Sequence, residues 1–189
     1  MVWLLRHVAV NGRRRTLLSL LHGTMANAMP MSLGAQKAYP GRQVIAFSGD
    51  GGLAMLLGDL LTAVQEDLPI KVVVFNNGTL GFVEMEMKIE GILDAYTKLK
   101  NPNFAKLAEV VGFGGWRVER NEDLEAAVPA FLAHSGPALL DVVVNGMELV
   151  MPPKIEPGQA VSTALYAAKA LVSGRAGDVL ELVGSNFVA

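Results

Sequence analysis

The sequence predicts an α/β fold, with a doubly wound, mostly parallel sheet that carries helices on both faces and is followed by a helical tail. Three observations support this fold class. Short apolar segments rich in β-branched residues alternate with amphipathic segments of helical period. Hydrophobic residues make up 51% of the sequence and charged residues 18%, as expected where strands are buried on both faces. With 189 residues, the chain is long enough for one such domain and a short appendage.

The first strand–helix–strand unit lies in the first half of the chain. Residues 43–48 form a short apolar run, typical of a buried strand, that leads into the tight turn Gly49-Asp50-Gly51-Gly52. Apolar residues then recur at helical spacing over 53–64, which predicts one amphipathic helix of about four turns. After a proline stops this helix, residues 70–75 predict a second strand, parallel to the first.

The same alternation continues to residue 144. The predicted elements are a helix over 103–111, a strand over 116–118, a helix over 122–132 and a strand over 138–144. Asn121 is a suitable N-cap for the third predicted helix, and Pro129 inside that helix predicts a kink.

The chain is expected to have three parts. Residues 1–15 are expected to be the remnant of a preceding region, residues 16–152 the main domain and residues 153–189 a C-terminal tail. Within the tail, the pattern predicts a helix over 159–173 and, after a break, an amphipathic stretch over 178–183.

Composition excludes several classes of function. The absence of cysteine excludes disulfides and thiolate metal sites, and it fits a reducing compartment. A net charge of −2 provides no electrostatic basis for nucleic-acid binding, and the isolated cluster Arg13-Arg14-Arg15 is typical of a solvated turn. No run reaches the ~18 apolar residues of a membrane-spanning helix, and the first ten residues are too charged for a signal peptide. We therefore expect a cytoplasmic protein that is soluble or at most peripheral on the membrane.

Polar residues follow two neighbouring predicted strands. Gly49-Asp50-Gly51 follows the first strand and Asn76-Asn77 follows the second, with residues 52–75 between them. Carboxyl ends of parallel strands lie side by side, and ligands of open α/β sheets bind beyond them, so Asp50 and Asn77 are expected at one place. Taken alone, Gly-Asp-Gly is equally compatible with a turn in which Asp50 caps a helix.

The residue types indicate the ligand. A carboxylate, an amide oxygen and a nearby backbone carbonyl, without His or Cys, suit Mg²⁺ or Ca²⁺. The N–H groups of Gly51 and Gly52 open a helix and attract an anion. Together these features predict a metal that joins the protein to a diphosphate. Other nucleotide motifs fit less well, because Ala54 stands where the dinucleotide fingerprint needs its third glycine.

With these motifs the sequence resembles the thiamine-diphosphate enzymes, whose diphosphate-binding domain contains Gly-Asp-Gly, a connecting stretch of comparable length and then Asn-Asn. Residues 22–30 (HGTMANAMP), 49–65 and 68–87, which include LGFVEMEM, resemble more narrowly the bacterial pyruvate dehydrogenases that pass electrons to quinone, relatives of pyruvate oxidase. The resemblance covers nearly the whole chain and implies thiamine diphosphate and Mg²⁺ as cofactors.

The resemblance also implies roles for single residues. The Mg²⁺ ligands would be the side chains of Asp50 and Asn77 and the carbonyl of Thr79. Met25 would prop the cofactor into its V shape, with ordinary core packing as the alternative, and Gly23 would offer its carbonyl to the 4′-amino group. The other implied cofactor-binding residues are Thr24, Gly49, Gly51, Gly52, Leu80 and Gly81.

Phe82 and Glu86 match family positions near the substrate and are the implied catalytic residues. Phe82 would shield the bound intermediate from water, and Glu86 would act on it. For Glu86 the alternative is a solvated helix face shared with Glu84 and Lys88. His22 would line the cofactor cleft or satisfy a backbone group.

The implied activity is oxidative decarboxylation of pyruvate to acetate and CO₂, with electrons passing through FAD to quinone. One alternative is an acetolactate-synthase-like or other 2-oxo-acid decarboxylating thiamine enzyme. The other is a non-catalytic fragment or assembly module. The LGFVEMEM stretch argues against the acetolactate-synthase alternative.

The resemblance further implies partners. In the family, the FAD site and the glutamate that protonates the cofactor's N1′ lie in other domains, and the active site lies between two subunits. We therefore expect a homo-oligomer, dimer or tetramer, or a separate chain that supplies the missing domains, and an isolated chain that is inactive. The tail is expected either to dock on the inner face of the membrane or to pack against the enzyme itself.

Overall fold

The computed structural model describes residues 23–146 and 157–187. The predictions for residues 1–15 and for His22 lie outside this part of the chain. The described residues form two compact units. The first unit contains the described residues up to Asn77 together with Lys100–Val144, and the second contains Gly78–Leu99 and the described residues from Asn145 onward.

The first unit is built on a parallel sheet. Its strands in the described part of the chain are β1 (Ile45–Gly49), β2 (Lys71–Asn76), β3 (Gly114–Val118) and β4 (Ala138–Val143). They lie in the order β1-β2-β4-β3, and every neighbouring pair is parallel. The predicted α/β class is therefore confirmed, with strand boundaries within two residues of those expected.

The helices of the described residues alternate with these strands and continue into the tail. In chain order they are α1 (Ala28–Ala38), α2 (Asp50–Met55), α3 (Asp59–Gln65), α4 (Gly81–Ile89), α5 (Phe104–Val110), α6 (Leu124–Ala133), α7 (Pro157–Val172) and α8 (Ala176–Phe187). A short 3₁₀ turn, Met25–Asn27, precedes α1.

Apolar side chains cover both faces of the sheet. On one face, helices α1, α2, α3 and α5 contribute to a cluster that includes Val72 and Val74 of β2. On the other face, Phe131 of α6 belongs to a cluster with Val73 of β2 and Leu140 of β4. Since Val72, Val73 and Val74 alternate between the two clusters, the sheet is buried on both sides, as the near-continuous apolar strands predict.

The single helix predicted over 53–64 is wrong. The chain forms α2 and α3 instead, joined by a turn in which the Leu56 and Asp59 N–H groups donate to carbonyls three residues earlier. Leu53 and Leu60 are buried, whereas Leu61 is exposed, so the apolar spacing does not form one continuous stripe. Gly58, which precedes α3, weakens helix propensity at the break.

The second strand–helix–strand region follows the prediction more closely. The Asn103 side chain accepts a hydrogen bond from the Lys106 N–H at 2.9 Å and caps α5. The predicted cap at Asn121 is wrong, because residues Asn121–Asp123 form a 3₁₀ turn and α6 begins at Leu124. The α6 helix continues through Pro129 to Ala133.

The second unit contains α4 and the two helices predicted for the tail. Tyr166 and Ala170 of α7 pack with Leu182 of α8, and Met85 of α4 lies against this cluster. The amphipathic end packs partly within its own unit, since Leu182 is buried while Leu180 is exposed. Among residues 23–146 and 157–187, no helix has the length and apolarity to cross a membrane.

Candidate cofactor-binding site

The ends of β1 and β2 bring the predicted site residues of the first unit together. Gly49, the last residue of β1, pairs with Phe75, and β2 ends one residue later at Asn76. The two strands therefore end at nearly the same level of the sheet. Asp50 begins α2 at this edge, and Asn77 follows Asn76. The parallel register thus brings Asp50 and Asn76 to one edge of the sheet, and the metal-binding roles of Asp50 and Asn77 stay predictions.

Asp50 is a buried carboxylate with defined contacts. Its residue exposure is 3%, although it lies at the end of a strand. Its Oδ1 accepts a hydrogen bond from the Gly51 N–H at 2.9 Å, and its Oδ2 accepts one from Asn101 Nδ2 at 2.6 Å. Charged hydrogen bonds of this kind hold a carboxylate in one orientation.

Hydrogen bonds extend from Asp50 across the sheet edge. Asn101 Nδ2 also donates to Asn76 Oδ1 at 2.9 Å, and Asn76 Nδ2 donates to Asp141 Oδ1 at 3.0 Å. Four side chains, which we call the strand-end relay (Asp50, Asn101, Asn76 and Asp141), therefore connect β1, β2 and β4. Asn76, the first asparagine of the Asn-Asn pair, is thus a hydrogen-bonded member of this relay.

The far end of the relay is anchored by a buried ion pair. Asp141 is fully buried in β4, and its Oδ2 accepts from the Phe104 N–H at 3.2 Å and from Arg117 Nη1. Burial alone would lower the pKa of Arg117, but a hydrogen bond to Glu119 and the charge of Asp141 outweigh it, so the pKa is raised. Arg117 therefore stays charged opposite Asp141.

Gly52 lies against the turn that contains Met25. A Cβ added at Gly52 would lie 2.5 Å from the Met25 carbonyl oxygen and 3.0 Å from Ser48 Oγ. A glycine is therefore needed at position 52 because the Met25 backbone packs against it. The sequence alone explained this glycine only by the close approach of a phosphate. This contact brings the HGTMANAMP stretch beside the Gly-Asp-Gly turn.

We predict that Gly52→Ala destabilises the first unit by about 1–3 kcal/mol, because the added methyl group overlaps backbone atoms. Urea denaturation of both proteins would measure this difference. Gly58→Ala is the matched control, since a Cβ at Gly58 meets nothing within 4 Å. Equal stability of the Gly52→Ala and Gly58→Ala chains would contradict the predicted close contact.

The turn that precedes α1 exposes the residues implied to hold the cofactor's rings. Gly23 has φ +59°, a left-handed conformation that favours glycine. Thr24 is exposed, and Met25 has an exposure of 44%. Ordinary core packing, the alternative considered for Met25, is therefore wrong, and the side chain is accessible to a ligand.

Thr79, the third implied metal ligand, belongs to the second unit. It is buried, and its hydroxyl donates to Glu84 Oε2 at 2.7 Å. The Leu80 N–H donates to the Thr97 carbonyl, and the Leu99 N–H donates to the Gly78 carbonyl. These bonds hold the Thr79 loop against residues 97–99.

Glu84 and Lys88 form a buried pair on α4, so the solvated helix face considered for them is wrong. Their exposures are 1% and 2%, and Lys88 Nζ lies 2.6 Å from Glu84 Oε1. Burial alone would raise the pKa of Glu84, but hydrogen bonds from Lys88 and Thr79 and the charges of Lys88 and Lys98 lower it to about 2.

This depressed pKa predicts acid sensitivity. Because the folded pKa of Glu84 lies below its ordinary value, the stabilisation is complete above about pH 4.5 and is lost as the pH falls towards 2. Between pH 7 and pH 3 we expect a loss of about 2 kcal/mol attributable to this group. Urea denaturation from pH 7 to pH 3 would measure it, with Glu84→Gln as the control. A wild-type acid slope no steeper than that of Glu84→Gln would contradict this assignment.

The implied catalytic residues also lie on α4. Phe82 has an exposure of 52%, and Glu86 is exposed. Leu80 and Gly81, at the start of the helix, are partly buried. Exposure leaves Phe82 and Glu86 able to contact a ligand, and their catalytic roles stay predictions.

The donor set fits Mg²⁺ chemically. No group of three or more His, Cys, Asp or Glu side chains able to hold a metal occurs within residues 23–146 and 157–187. Mg²⁺ does not require such a group, because it commonly takes one or two carboxylates and fills its other positions with phosphate oxygens and water. The Asp50 carboxylate and the Asn77 amide are hard oxygen donors of this kind, and their role as metal ligands stays a prediction.

Comparison with known proteins decides the family. The sequence profile of the thiamine pyrophosphate enzyme C-terminal TPP-binding domain matches residues 1–142 of the chain. The chain belongs to this family. The thiamine-pyrophosphate-binding domain accounts for the parallel sheet and for the Gly-Asp-Gly and Asn-Asn motifs.

Relatives share the same region of a longer protein. The YdaP protein of Bacillus subtilis (strain 168), described as thiamine pyrophosphate-containing, is 39% identical over 168 residues, which are 89% of this chain and 29% of YdaP. The acetolactate synthase isozyme 2 large subunit of Escherichia coli (strain K12) is 32% identical over 87% of this chain and 30% of its own length. The mitochondrial acetolactate synthase catalytic subunit of Saccharomyces cerevisiae is 37% identical over 69% of this chain and 19% of its own length. The chain thus spans less than a third of each relative's length.

Sequence reasoning did not identify Asn101 or the burial of Glu84. Asn101 lies in an irregular segment, where no periodicity points to a partner. Asp141 carried a usable signal, because a carboxylate inside an apolar strand is rarely buried without a partner. Glu84 and Lys88 have the i,i+4 spacing of a helical ion pair, but the spacing alone is also typical of an exposed pair.

Proposed function

We propose that this chain forms the thiamine-diphosphate- and Mg²⁺-binding part of an enzyme that decarboxylates a 2-oxo acid. The observation that carries the proposal is the buried Asp50 carboxylate, held by hydrogen bonds where β1 and β2 end. Burial of a carboxylate is costly unless its charge is used or compensated. A metal-bridged diphosphate would compensate it at the place where this type of sheet binds ligands.

Different residues of the motif would bind the metal and the diphosphate. Within the first unit, the side chains of Asp50 and Asn77 would bind Mg²⁺, and the turn Gly49–Gly52 would receive the diphosphate. When bound, thiamine diphosphate supplies the electron sink that allows CO₂ to leave a 2-oxo acid.

Met25 and Gly23 would shape the other end of the cofactor. An exposed methionine offers a bulky, flexible apolar surface without a competing polar atom. Gly23 has a left-handed backbone conformation, and nothing lies within 4 Å of a Cβ built there, so a ligand could approach its backbone closely. In the second unit, the proposed catalytic residues are Phe82 and Glu86, and the proposed cofactor-binding residues are Thr79, Leu80 and Gly81.

For the complete enzyme, we favour an acetolactate-synthase-like reaction, in which a second 2-oxo acid accepts the two-carbon unit left by decarboxylated pyruvate. This choice is supported by the relatives from yeast and E. coli, which are acetolactate synthases. The second candidate is a quinone-linked pyruvate dehydrogenase that forms acetate with FAD. It is favoured by the stretches HGTMANAMP and LGFVEMEM, which resemble that group. Both candidates need domains beyond this region, from the same chain or a partner, and a homo-oligomer would complete the site.

Product analysis would separate the two reactions. The complete enzyme containing this region would be incubated with pyruvate, thiamine diphosphate and Mg²⁺, with and without FAD and a quinone analogue. Acetolactate formed without an electron acceptor supports the first candidate, and acetate formed only with the acceptor supports the second. If neither product appears and the chain does not bind thiamine diphosphate at millimolar concentration, the proposed function is wrong and a non-catalytic assembly module is favoured.

A further inference from the structure

Asn101 is the part of the strand-end relay that contacts the implied metal ligand. It lies in the loop before α5, outside the Gly-Asp-Gly and Asn-Asn motifs, and its side chain is partly buried. Its Nδ2 lies 2.6 Å from Asp50 Oδ2 and 2.9 Å from Asn76 Oδ1. One amide group therefore joins the residue after β1 to the last residue of β2.

The chemistry of an asparagine amide suits this position. The NH₂ group has two N–H donors, and the two acceptors around it are the Asp50 carboxylate and the Asn76 carbonyl oxygen. A carboxylate at position 101 would repel Asp50, whereas alanine would offer no donor. Asn101 therefore holds Asp50 through a charge-assisted bond without adding negative charge.

The amide of Asn76 is itself oriented from the other side. Its Nδ2 donates to Asp141 Oδ1 at 3.0 Å, so its Oδ1 faces Asn101. Asp141 is fixed in turn by the Phe104 N–H and by Arg117. Asp141 thus orients the amide of Asn76, Asn76 orients the amide of Asn101, and Asn101 orients the carboxylate of Asp50. The orientation of Asp50 therefore depends on the buried carboxylate in β4.

We propose that Asn101 is a positioning residue that holds the Asp50 carboxylate in the orientation from which it binds a divalent cation. The inference rests on the proposed Mg²⁺ site and adds a residue outside its motif. A fixed carboxylate suits the near-ideal octahedral geometry of Mg²⁺, whereas Ca²⁺ tolerates mobile and bidentate carboxylates. Asn101 is therefore expected to affect the choice between these ions as well as the affinity.

Calorimetric titration of the chain with preformed Mg²⁺–thiamine diphosphate and Ca²⁺–thiamine diphosphate tests this proposal. We expect Asn101→Ala to weaken the Mg²⁺ complex by about 10–100-fold, the usual effect of removing a residue that orients a metal ligand. The Ca²⁺ complex should weaken much less, so the preference for Mg²⁺ falls. Asn101→Gln, which keeps both amide donors, should restore part of the loss.

Asn103→Ala is the matched control. Asn103 lies two residues further along the same loop and caps α5, so its loss should lower the melting temperature of the chain. It should leave the ratio of the two dissociation constants within about twofold, because the Asn103 side chain bonds the Lys106 N–H and not Asp50. Circular dichroism would establish that the Asn101 and Asn103 variants are folded before titration.

Each outcome decides between the proposals. If the wild-type chain binds neither complex, the proposed cofactor function fails and this inference fails with it. If the wild-type chain binds and Asn101→Ala binds equally well, the inference is wrong and the proposed function stands. A parallel weakening of both complexes, with the Mg²⁺ preference unchanged, would indicate a general structural role and would also overturn the inference.

Discussion

Replacing Asp50 with alanine is expected to abolish binding of Mg²⁺–thiamine diphosphate by the chain. The substitution removes the only carboxylate of the implied ligand set and leaves two neutral oxygen donors, Asn77 and Thr79. Hard divalent cations depend on carboxylate charge, and the diphosphate depends on the cation. We expect at least a 100-fold loss of affinity, since removal of a supporting residue alone typically costs 10–100-fold. Calorimetric titration would measure it.

The matched control for this prediction is Asp59→Ala. Asp59 begins α3 as Asp50 begins α2, so both substitutions remove a carboxylate from the first turn of a short helix. For Asp59→Ala, loss of the favourable interaction with the helix dipole should cost under about 1 kcal/mol of stability. Unchanged affinity in the Asp50→Ala chain would show that the metal is held elsewhere, and equal losses in both variants would indicate a general effect of charge.

Replacing Glu84 with alanine is expected to cause the largest loss of stability in the second unit. The substitution removes the carboxylate that lies 2.6 Å from the buried Lys88 ammonium, and it also removes the nearer of two acceptors of the Thr79 hydroxyl. Breaking a buried ion pair from one side typically costs about 3–5 kcal/mol. Urea denaturation followed by circular dichroism would measure the loss, and hydrogen exchange would localise it to α4 and the Thr79 loop.

Two further variants test whether the loss of stability in Glu84→Ala is caused by the broken buried ion pair. The double variant Glu84→Leu/Lys88→Met replaces the pair with apolar groups and should recover most of the stability, because neither charge is then buried alone. Glu66→Ala removes the partner of Lys37 from an exposed pair, with side-chain exposures of 68% for Lys37 and 43% for Glu66. It should cost under about 1 kcal/mol. A cost for Glu84→Ala as small as that for Glu66→Ala would contradict a buried pair.

Strand positions and the motif that joins them are predictable from the sequence because each depends on local pattern. The valine-rich run of β2 can bury both faces only as an inner strand, and β1 and β2 are joined by a connection long enough for a helical crossover. Asp50 and Asn76 therefore come to one edge whatever the details of the crossover. The helix break before α3 is less predictable, because the sequence does not show that Leu60 is buried whereas Leu61 is exposed.

The supporting contacts of the site depend on tertiary structure. Asn101 reaches Asp50 only because the loop before α5 returns to the sheet edge, a path that no short-range pattern encodes. Glu84 is buried because Thr79, Thr97 and Lys98 converge on it from another part of the second unit. Motif spacing thus predicts the side chains that bind the metal and the diphosphate. The residues that orient those side chains become apparent only in the folded structure.

The strand order has a consequence for how the domain is made. β4 lies between β2 and β3, yet it is the last of these strands to leave the ribosome. Until β4 emerges, β2 and β3 have no strand to join them, and each presents unpaired backbone groups to other chains. Folding of the parallel sheet therefore depends on a late, long-range pairing, which slows folding and prolongs exposure to aggregation. Nascent chains that stall before residue 138 would be the species most in need of chaperones.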